Sequence, residues 1–88
     1  MEFEWDPDKA QSNLQKHNVS FEMAVKVLSD PWRIEEEQFD NDDGMRFNVL
    51  GMAEDRVLHV TYTMRGDCYR IISARPAERY ERRRYHEG

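Results

Sequence analysis

Residues 57–75 read VLHVTYT (Val57–Thr63), MRGDC (Met64–Cys68) and YRIISAR (Tyr69–Arg75). Both flanks are rich in β-branched and aromatic residues, which suit a pleated, half-buried surface. Gly66-Asp67 stands between them. A two-residue loop with glycine first meets the demand of a type II′ hairpin turn for positive φ at that place. The turn sets a register in which Arg65 opposes Cys68, Thr63 opposes Arg70 and Tyr62 opposes Ile71. Side chains alternate across a strand. One face therefore carries Leu58, Val60, Tyr62, Met64, Tyr69 and Ile71, and the other His59, Thr61, Thr63, Arg70 and Ile72. The first is a core face. The second is too polar for a core and becomes the candidate site.

The strand before the hairpin extends this face. Arg46–Met52 alternates in the same way, and a tight turn at Ala53–Arg56 pairs Met52 with Val57. Phe47 then joins the apolar face opposite Tyr62, and Arg46 joins the polar face opposite Thr63. Regular ladders give one row of Arg46, Thr63 and Arg70 across three strands, and a next row of Asn48, Thr61 and Ile72. A slip of one residue would send a strand's set to the opposite face.

The flanking segments read as helices. Phe3 and Trp5 mark a short strand, and Asp6-Pro7 supplies an N-cap followed by proline at the first helical position. That helix runs to about His17, with Ala10, Asn13, Leu14 and His17 on one face. Ser20 caps a second helix from Phe21 to about Ser29, with Phe21, Ala24, Val25 and Leu28 as its apolar stripe. Asp30-Pro31 stops it. Trp32–Phe39 is extended, and Asp40–Gly44 is a loop. Pro76 opens a last helix to about Glu87 that packs through Tyr80 and Tyr85. The fold class is α+β: two N-terminal helices, an antiparallel sheet of about four strands and a C-terminal helix, in one domain over residues 1–88.

Bulk composition narrows the function classes. A chain of 88 residues is one small domain, and a hydrophobic share of 39% supports a packed core rather than disorder. The single Cys68 makes no internal disulfide, and no Cys/His cluster has metal-ligand spacing. No apolar run approaches the roughly 18 residues of a membrane span, and the acidic opening does not read as a signal peptide, so the chain reads as cytoplasmic. The net charge of −5 is uneven: residues 1–64 carry a balance of −8 and residues 65–88 one of +3. An acidic total opposes long-range attraction to nucleic acid, while a local basic surface toward the C-terminus remains available.

The strongest constellation is Arg46–Thr63–Arg70 with Arg75 nearby. Two guanidiniums and a hydroxyl on one sheet face can grip phosphate through charge-assisted hydrogen bonds, or the arginines can pair with the acidic stretch Glu35–Asp43. His17 is the best placed of the three histidines for proton transfer, and its plain reading is a helix-terminal histidine that favours the dipole. His59 is a weaker candidate. Lys9 and Lys16 can touch a phosphate backbone. Glu81 and Tyr85, one turn apart, are either base and hydrogen-bond donor or a structural pair tied to Arg75. No glycine-rich phosphate loop, Ser-His-Asp set or metal motif is present, so no cofactor is implied. Metal-free RNA cleavage needs only a positioned strand, a proton acceptor and cations, because the 2′-hydroxyl is the nucleophile.

Trp5–Ala24 (WDPDKAQSNLQKHNVSFEMA), Arg46–Gly51 (RFNVLG), Tyr62–Arg65 (YTMR) and Tyr69–Tyr85 (YRIISARPAERYERRRY) resemble the BrnT toxin family over nearly the whole chain. The resemblance implies a RelE-like fold and a type II toxin–antitoxin ribonuclease that inhibits translation. It also implies a BrnA-type ribbon-helix-helix antitoxin as partner, in a toxin–antitoxin hetero-oligomer that meets operator DNA only through the antitoxin. The family pattern falls on Trp5, Asp6, Lys9, Asn13, Lys16, His17, Arg46, Arg65, Arg70, Ser73, Arg75, Glu81, Arg82 and Tyr85. Asn18 stands where the family usually has glycine, and asparagine tolerates the left-handed conformation. The expected catalytic set is Arg46, Arg70, His17, Arg75 and Glu81, and the expected RNA-binding set is Lys9, Lys16, Thr63, Arg65 and Tyr85. The rival is a non-catalytic interaction module or inactive homologue in which the arginines are interface anchors.

Overall fold

The computed structural model describes residues 1–42 and 44–88; Asp43, within the acidic stretch named above, lies outside the described residues. In chain order the elements are β1 (Glu2–Glu4), α1 (Pro7–His17), α2 (Phe21–Leu28), β2 (Ile34–Asp40), β3 (Gly44–Ala53), β4 (Arg56–Arg65), β5 (Cys68–Pro76) and α3 (Arg79–Glu87). Gly66 has φ +60° and its hairpin pairs Arg65 with Cys68, Thr63 with Arg70 and Tyr62 with Ile71, as the turn chemistry requires. At the β3–β4 turn Glu54 and Asp55 both have positive φ, the signature of a type I′ turn, and Met52 pairs with Val57.

The sheet has five strands in the order β1-β5-β4-β3-β2. The additional strand is β1, which lies parallel to the start of β5, Phe3 opposite Tyr69 and Glu4 opposite Arg70. Three residues suffice because β1 pairs with only the first residues of β5.

The larger core lies on the α1–α2 side of the sheet. Asp6 caps α1 by accepting from the Asp8 amide at 2.8 Å, and Ser20 caps α2 through the Met23 amide at 3.1 Å. Between the helices Asn18 adopts the left-handed conformation at φ 56°. Val19, Phe21, Ala24 and Val27 are buried against Val49, Leu58, Val60 and Ala74. Full burial of a side chain such as Phe21 contributes about 1.5–3 kcal/mol. Helix α2 sits so close to β3 that a Cβ at Gly51 would stand 2.8 Å from Val27 Cγ1. Near the hairpin end an aromatic ladder crosses four strands: Phe47–Tyr62 at 4.9 Å between ring centroids, Tyr62–Tyr69 at 5.2 Å and Phe3–Tyr69 at 5.3 Å.

The opposite face differs from the sequence expectation in two ways. First, β5 bulges: Tyr62 pairs with Ile71 but Thr61 pairs with Ser73, so Ile72 is the extra residue and Ser73, not Ile72, completes the row of Asn48 and Thr61. The bulge inverts the parity of everything after it. A regular ladder would aim Arg75 at the core; the bulged one sets it opposite His59 on the polar face and buries Ala74 completely. Second, this face is polar at only one end. Leu50, Val57 and Ala77 form a second small core with Ile34, Met52 and Tyr85, beneath α3.

Helix α3 also starts later than expected. Pro76 is the last residue of β5, opposite Leu58, and the Ala77 amide donates to the Val57 carbonyl at 3.0 Å. That bond keeps the chain extended, and a proline at a strand end leaves no donor unpaired. Of the two tyrosines expected to pack the helix, Tyr85 does so, while Tyr80 is 65% exposed.

Candidate functional site

Strands β3, β4 and β5 bring Arg46, Thr63 and Arg70 into one row on one face, directly opposed in register. Each guanidinium is met by a carboxylate. Arg70 donates to Glu4 at 2.5 Å, Arg65 reaches the same oxygen at 3.3 Å, and Arg46 lies 3.6 Å from Asp40. Arg70 is the main cause of a Glu4 carboxyl held below the ordinary carboxylate range, with the Cys68 thiol second. Both Arg46 and Arg70 keep about a third of their side-chain surface in solvent. Thr63 lies between them, but its hydroxyl donates to the Met45 carbonyl at 2.9 Å, so the proton expected to face phosphate is already used. In the next row Thr61 donates to Asn48 at 2.8 Å, and Asn48 donates to Gln38 at 2.9 Å.

The third row holds His59 and Arg75. Arg75 forms a bidentate pair with Glu81, at 2.7 and 3.1 Å, and donates to the Pro76 carbonyl. Glu81 also accepts from the Glu78 amide at 2.8 Å and is buried. Its carboxyl is held low, first by Arg75 and then by the Glu78 amide, against the opposing effect of burial. Such a carboxylate is a weak proton acceptor at neutral pH, and its position ties α3 to β5. His59 is half-buried. Burial first, then the Arg75 guanidinium, push its imidazole below the ordinary histidine range, against the pull of Glu81 and Glu36.

Between this row and α3 lies a cleft of about 170 Å³, lined by Glu36, Asn48, Leu50 and His59 from the sheet and by Tyr80 and Arg84 among the helix residues. Arg84 pairs with Glu36, and both side chains are more than half exposed.

The remaining expected residues lie elsewhere. Lys9, Lys16 and His17 project from α1 and line a separate groove with Ile72 and Ser73 at the bulge of β5. None of the three shares a described contact with Arg46 or Arg70, and His17 is exposed. Asn13, their neighbour, is a structural residue: it is buried and hydrogen-bonded to Val19 and Ala74. Tyr85 donates to Asp30 at 2.5 Å, and burial together with that carboxylate pushes its phenol up to about 12. The hydroxyl expected to position RNA therefore fastens α3 to the α2 terminus. In the sequence His59 is a weaker candidate than His17, and Tyr80 and Arg84 belong to no site constellation. Strand parity already set His59 on the polar face, but the position of α3 over it was not legible locally.

Two of these carboxylates make stability depend on acid. For Asp30, burial acts upward most strongly, but the Tyr85 hydroxyl and the Met52 and Trp32 amides together outweigh it, so Asp30, like Glu81, titrates lower folded than unfolded. Their stabilisation is complete at neutral pH and is lost as pH falls through the folded-state values. Melting temperature should therefore drop from pH 7 toward pH 3, and Glu81→Gln should flatten that slope. A Glu81→Gln protein with the wild-type slope would contradict the assignment.

The described residues form an α+β domain with Arg46, Arg70 and Arg75 on one sheet face. The family model described as "Ribonuclease toxin, BrnT, of type II toxin-antitoxin system" matches residues 5–81, and the chain belongs to that family. No curated protein matches the chain. Family membership implies an antitoxin partner. No helix among the described residues is long and apolar enough to cross a membrane.

Proposed function

We propose that this chain is a metal-independent endoribonuclease that inhibits translation by cleaving RNA in the cytoplasm and is neutralised by a BrnA-type ribbon-helix-helix antitoxin. The observation that carries this reading is the arginine row of Arg46 and Arg70, with Arg75 two positions further along the same face, in a chain of the BrnT family. The pairs of Arg70 with Glu4 and of Arg46 with Asp40 keep about a third of each side chain in solvent, so an RNA phosphate can compete with these two carboxylates for the guanidiniums. Phosphate contacts by Arg46 and Arg70 hold the strand, and Arg65 adds a further cation at the hairpin end. Lys9, Lys16 and His17 offer a second basic strip at the α1 groove for the same strand.

The reaction asks little else of the protein. The RNA supplies its own 2′-hydroxyl nucleophile, and fixed cations stabilise the charged phosphorane. The acidic total of −5 opposes long-range attraction to RNA and DNA alike, so RNA contact rests on the local arginine row. Operator contact belongs to the antitoxin, within a toxin–antitoxin hetero-oligomer.

Expression of the chain without an antitoxin tests the reading. Growth should arrest with RNA decay, Arg70→Ala should lower cleavage by about 10²-fold, and co-expression of the antitoxin should restore growth. A soluble, folded protein that leaves growth and RNA intact would favour the non-catalytic interaction module instead.

A further inference from the structure

The cleft under α3 contains three groups that the arginine row does not use. His59 lies on its sheet wall, half-buried, and no other residue's side chain hydrogen-bonds the imidazole among the described contacts. Tyr80 presents an aromatic ring that is 65% exposed, although a ring of that size on an amphipathic helix ordinarily turns inward. Among the described residues the Arg84 side chain is engaged only by Glu36, in a pair more than half exposed on both sides. By contrast Arg75, the other cation of this region, is fixed in a bidentate pair with a buried carboxylate. The cleft thus offers one displaceable cation, one stacking surface and one proton acceptor around a space of about 170 Å³, with the Glu36 and Glu81 carboxylates also in its wall and Arg75 behind Glu81. A water's share of liquid volume is about 30 Å³, so the space admits a group several waters in size.

We propose that the reacting nucleotide of the RNA sits in this cleft, with His59 accepting the 2′-hydroxyl proton, Arg84 holding the adjacent phosphate and Tyr80 stacking against the base. This rests on the ribonuclease reading above. The 2′-oxygen attacks phosphorus as its proton passes to the imidazole. The bond from phosphorus to the 5′-oxygen breaks, leaving a 2′,3′-cyclic phosphate. The 5′-oxygen takes a proton from water, and the imidazolium returns its proton to solvent. Nothing is oxidised or reduced. RNA phosphate displaces Glu36 from Arg84, while Arg75 remains with Glu81 and keeps the roof in place. Aromatic stacking tolerates any base, which suits a strand held mainly through its backbone.

The charge state of His59 fits this task. Facing it are Arg75 from β5, Glu36 from β2, and Tyr80, Glu81 and Arg84 from α3. The Arg75–Glu81 pair cancels most of its own field, and burial keeps the ring neutral and able to accept a proton at pH 7. Cleavage should therefore fall only on the acid side, below the ordinary histidine value of about 6.5.

The test uses the purified chain, a fluorophore–quencher RNA oligonucleotide of mixed sequence, and its fully 2′-O-methylated counterpart as a non-cleavable probe. His59→Gln should lower kcat by about 10²–10⁴-fold, leave KM and the circular dichroism spectrum close to wild type, and remove the acid limb of the pH profile. Tyr80→Ala and Arg84→Ala should each weaken binding of the 2′-O-methyl probe by about ten-fold. Both side chains are exposed, so these variants keep the fold. If His59→Gln cleaves at the wild-type rate with the wild-type pH profile, the role of His59 is overturned and the ribonuclease reading stands. If both helix variants bind the probe like wild type, the cleft is not the seat of the RNA. If wild type binds the probe through Tyr80 and Arg84 but cleaves no RNA at any pH, the ribonuclease reading fails and takes the role of His59 with it.

Discussion

Asn13→Ala should destabilise the protein by about 3 kcal/mol, read as a lowered urea midpoint with an unchanged slope. Its side-chain amide donates to the Val19 carbonyl at 2.9 Å and to the Ala74 carbonyl at 2.7 Å, and its oxygen accepts from the Ala74 amide at 3.2 Å. Asn13 thus acts as a strand residue lent by a helix. Beyond the reach of β1, it satisfies the backbone of β5 on the side where α1 packs. Alanine leaves all three groups buried and unpaired. Small domains hold roughly 5–15 kcal/mol in total, so the loss is a large fraction of the whole. Asn13→Asp should be no better, because a carboxylate would face two carbonyl oxygens where two donors stood. An Asn13→Ala protein with the wild-type midpoint would show that water replaces the side chain at no cost.

Asp30→Ala should be comparably damaging, with melting lowered by something on the order of 15 °C. One oxygen of Asp30 accepts from the Trp32 amide at 2.9 Å; the other accepts from the Met52 amide at 2.8 Å and the Tyr85 hydroxyl at 2.5 Å. This carboxylate joins the end of α2, strand β3 and helix α3. Its loss leaves a strand amide and a half-buried phenol without partners, each costing about 1–3 kcal/mol. The damage should be uneven. Hydrogen exchange should quicken most in α3, because the small core of Leu50, Val57 and Ala77 holds that helix weakly once Tyr85 is released. Asp30→Asn, which keeps an acceptor but not the charge, should fall between. Uniform acceleration across the sheet would show that Asp30 serves global stability rather than the attachment of α3.

Local chemistry made much of this molecule readable in advance. Gly66-Asp67 specified the hairpin, Ala53–Arg56 the preceding turn, and together they specified the row of Arg46, Thr63 and Arg70. Asp6 and Ser20 marked helix starts that the structure retains. These features need only a few neighbouring residues, so a sequence window contains their causes. The fate of Thr63 was less visible: its hydroxyl donates to a carbonyl on the neighbouring strand, 18 positions away in the chain.

By itself, then, the amino-acid order determined the β3–β4 pairing and the start of the β4–β5 hairpin, the caps of α1 and α2, the α+β class and which side chains of β3 and β4 share a face. Tertiary structure alone decided that the short N-terminal strand joins the sheet parallel to β5, the bulge at Ile72 that brings Arg75 beside His59, and the closing of α3 over that row. It also decided which carboxylate meets which arginine: Glu4 and Arg70 are 66 positions apart, and Tyr85 and Asp30 are 55. The physical reason is the range of the forces. Turn and cap energies act within a few residues of backbone, whereas a bulge, a packed helix or an ion pair is settled by the combined burial and charge of segments that meet only after folding.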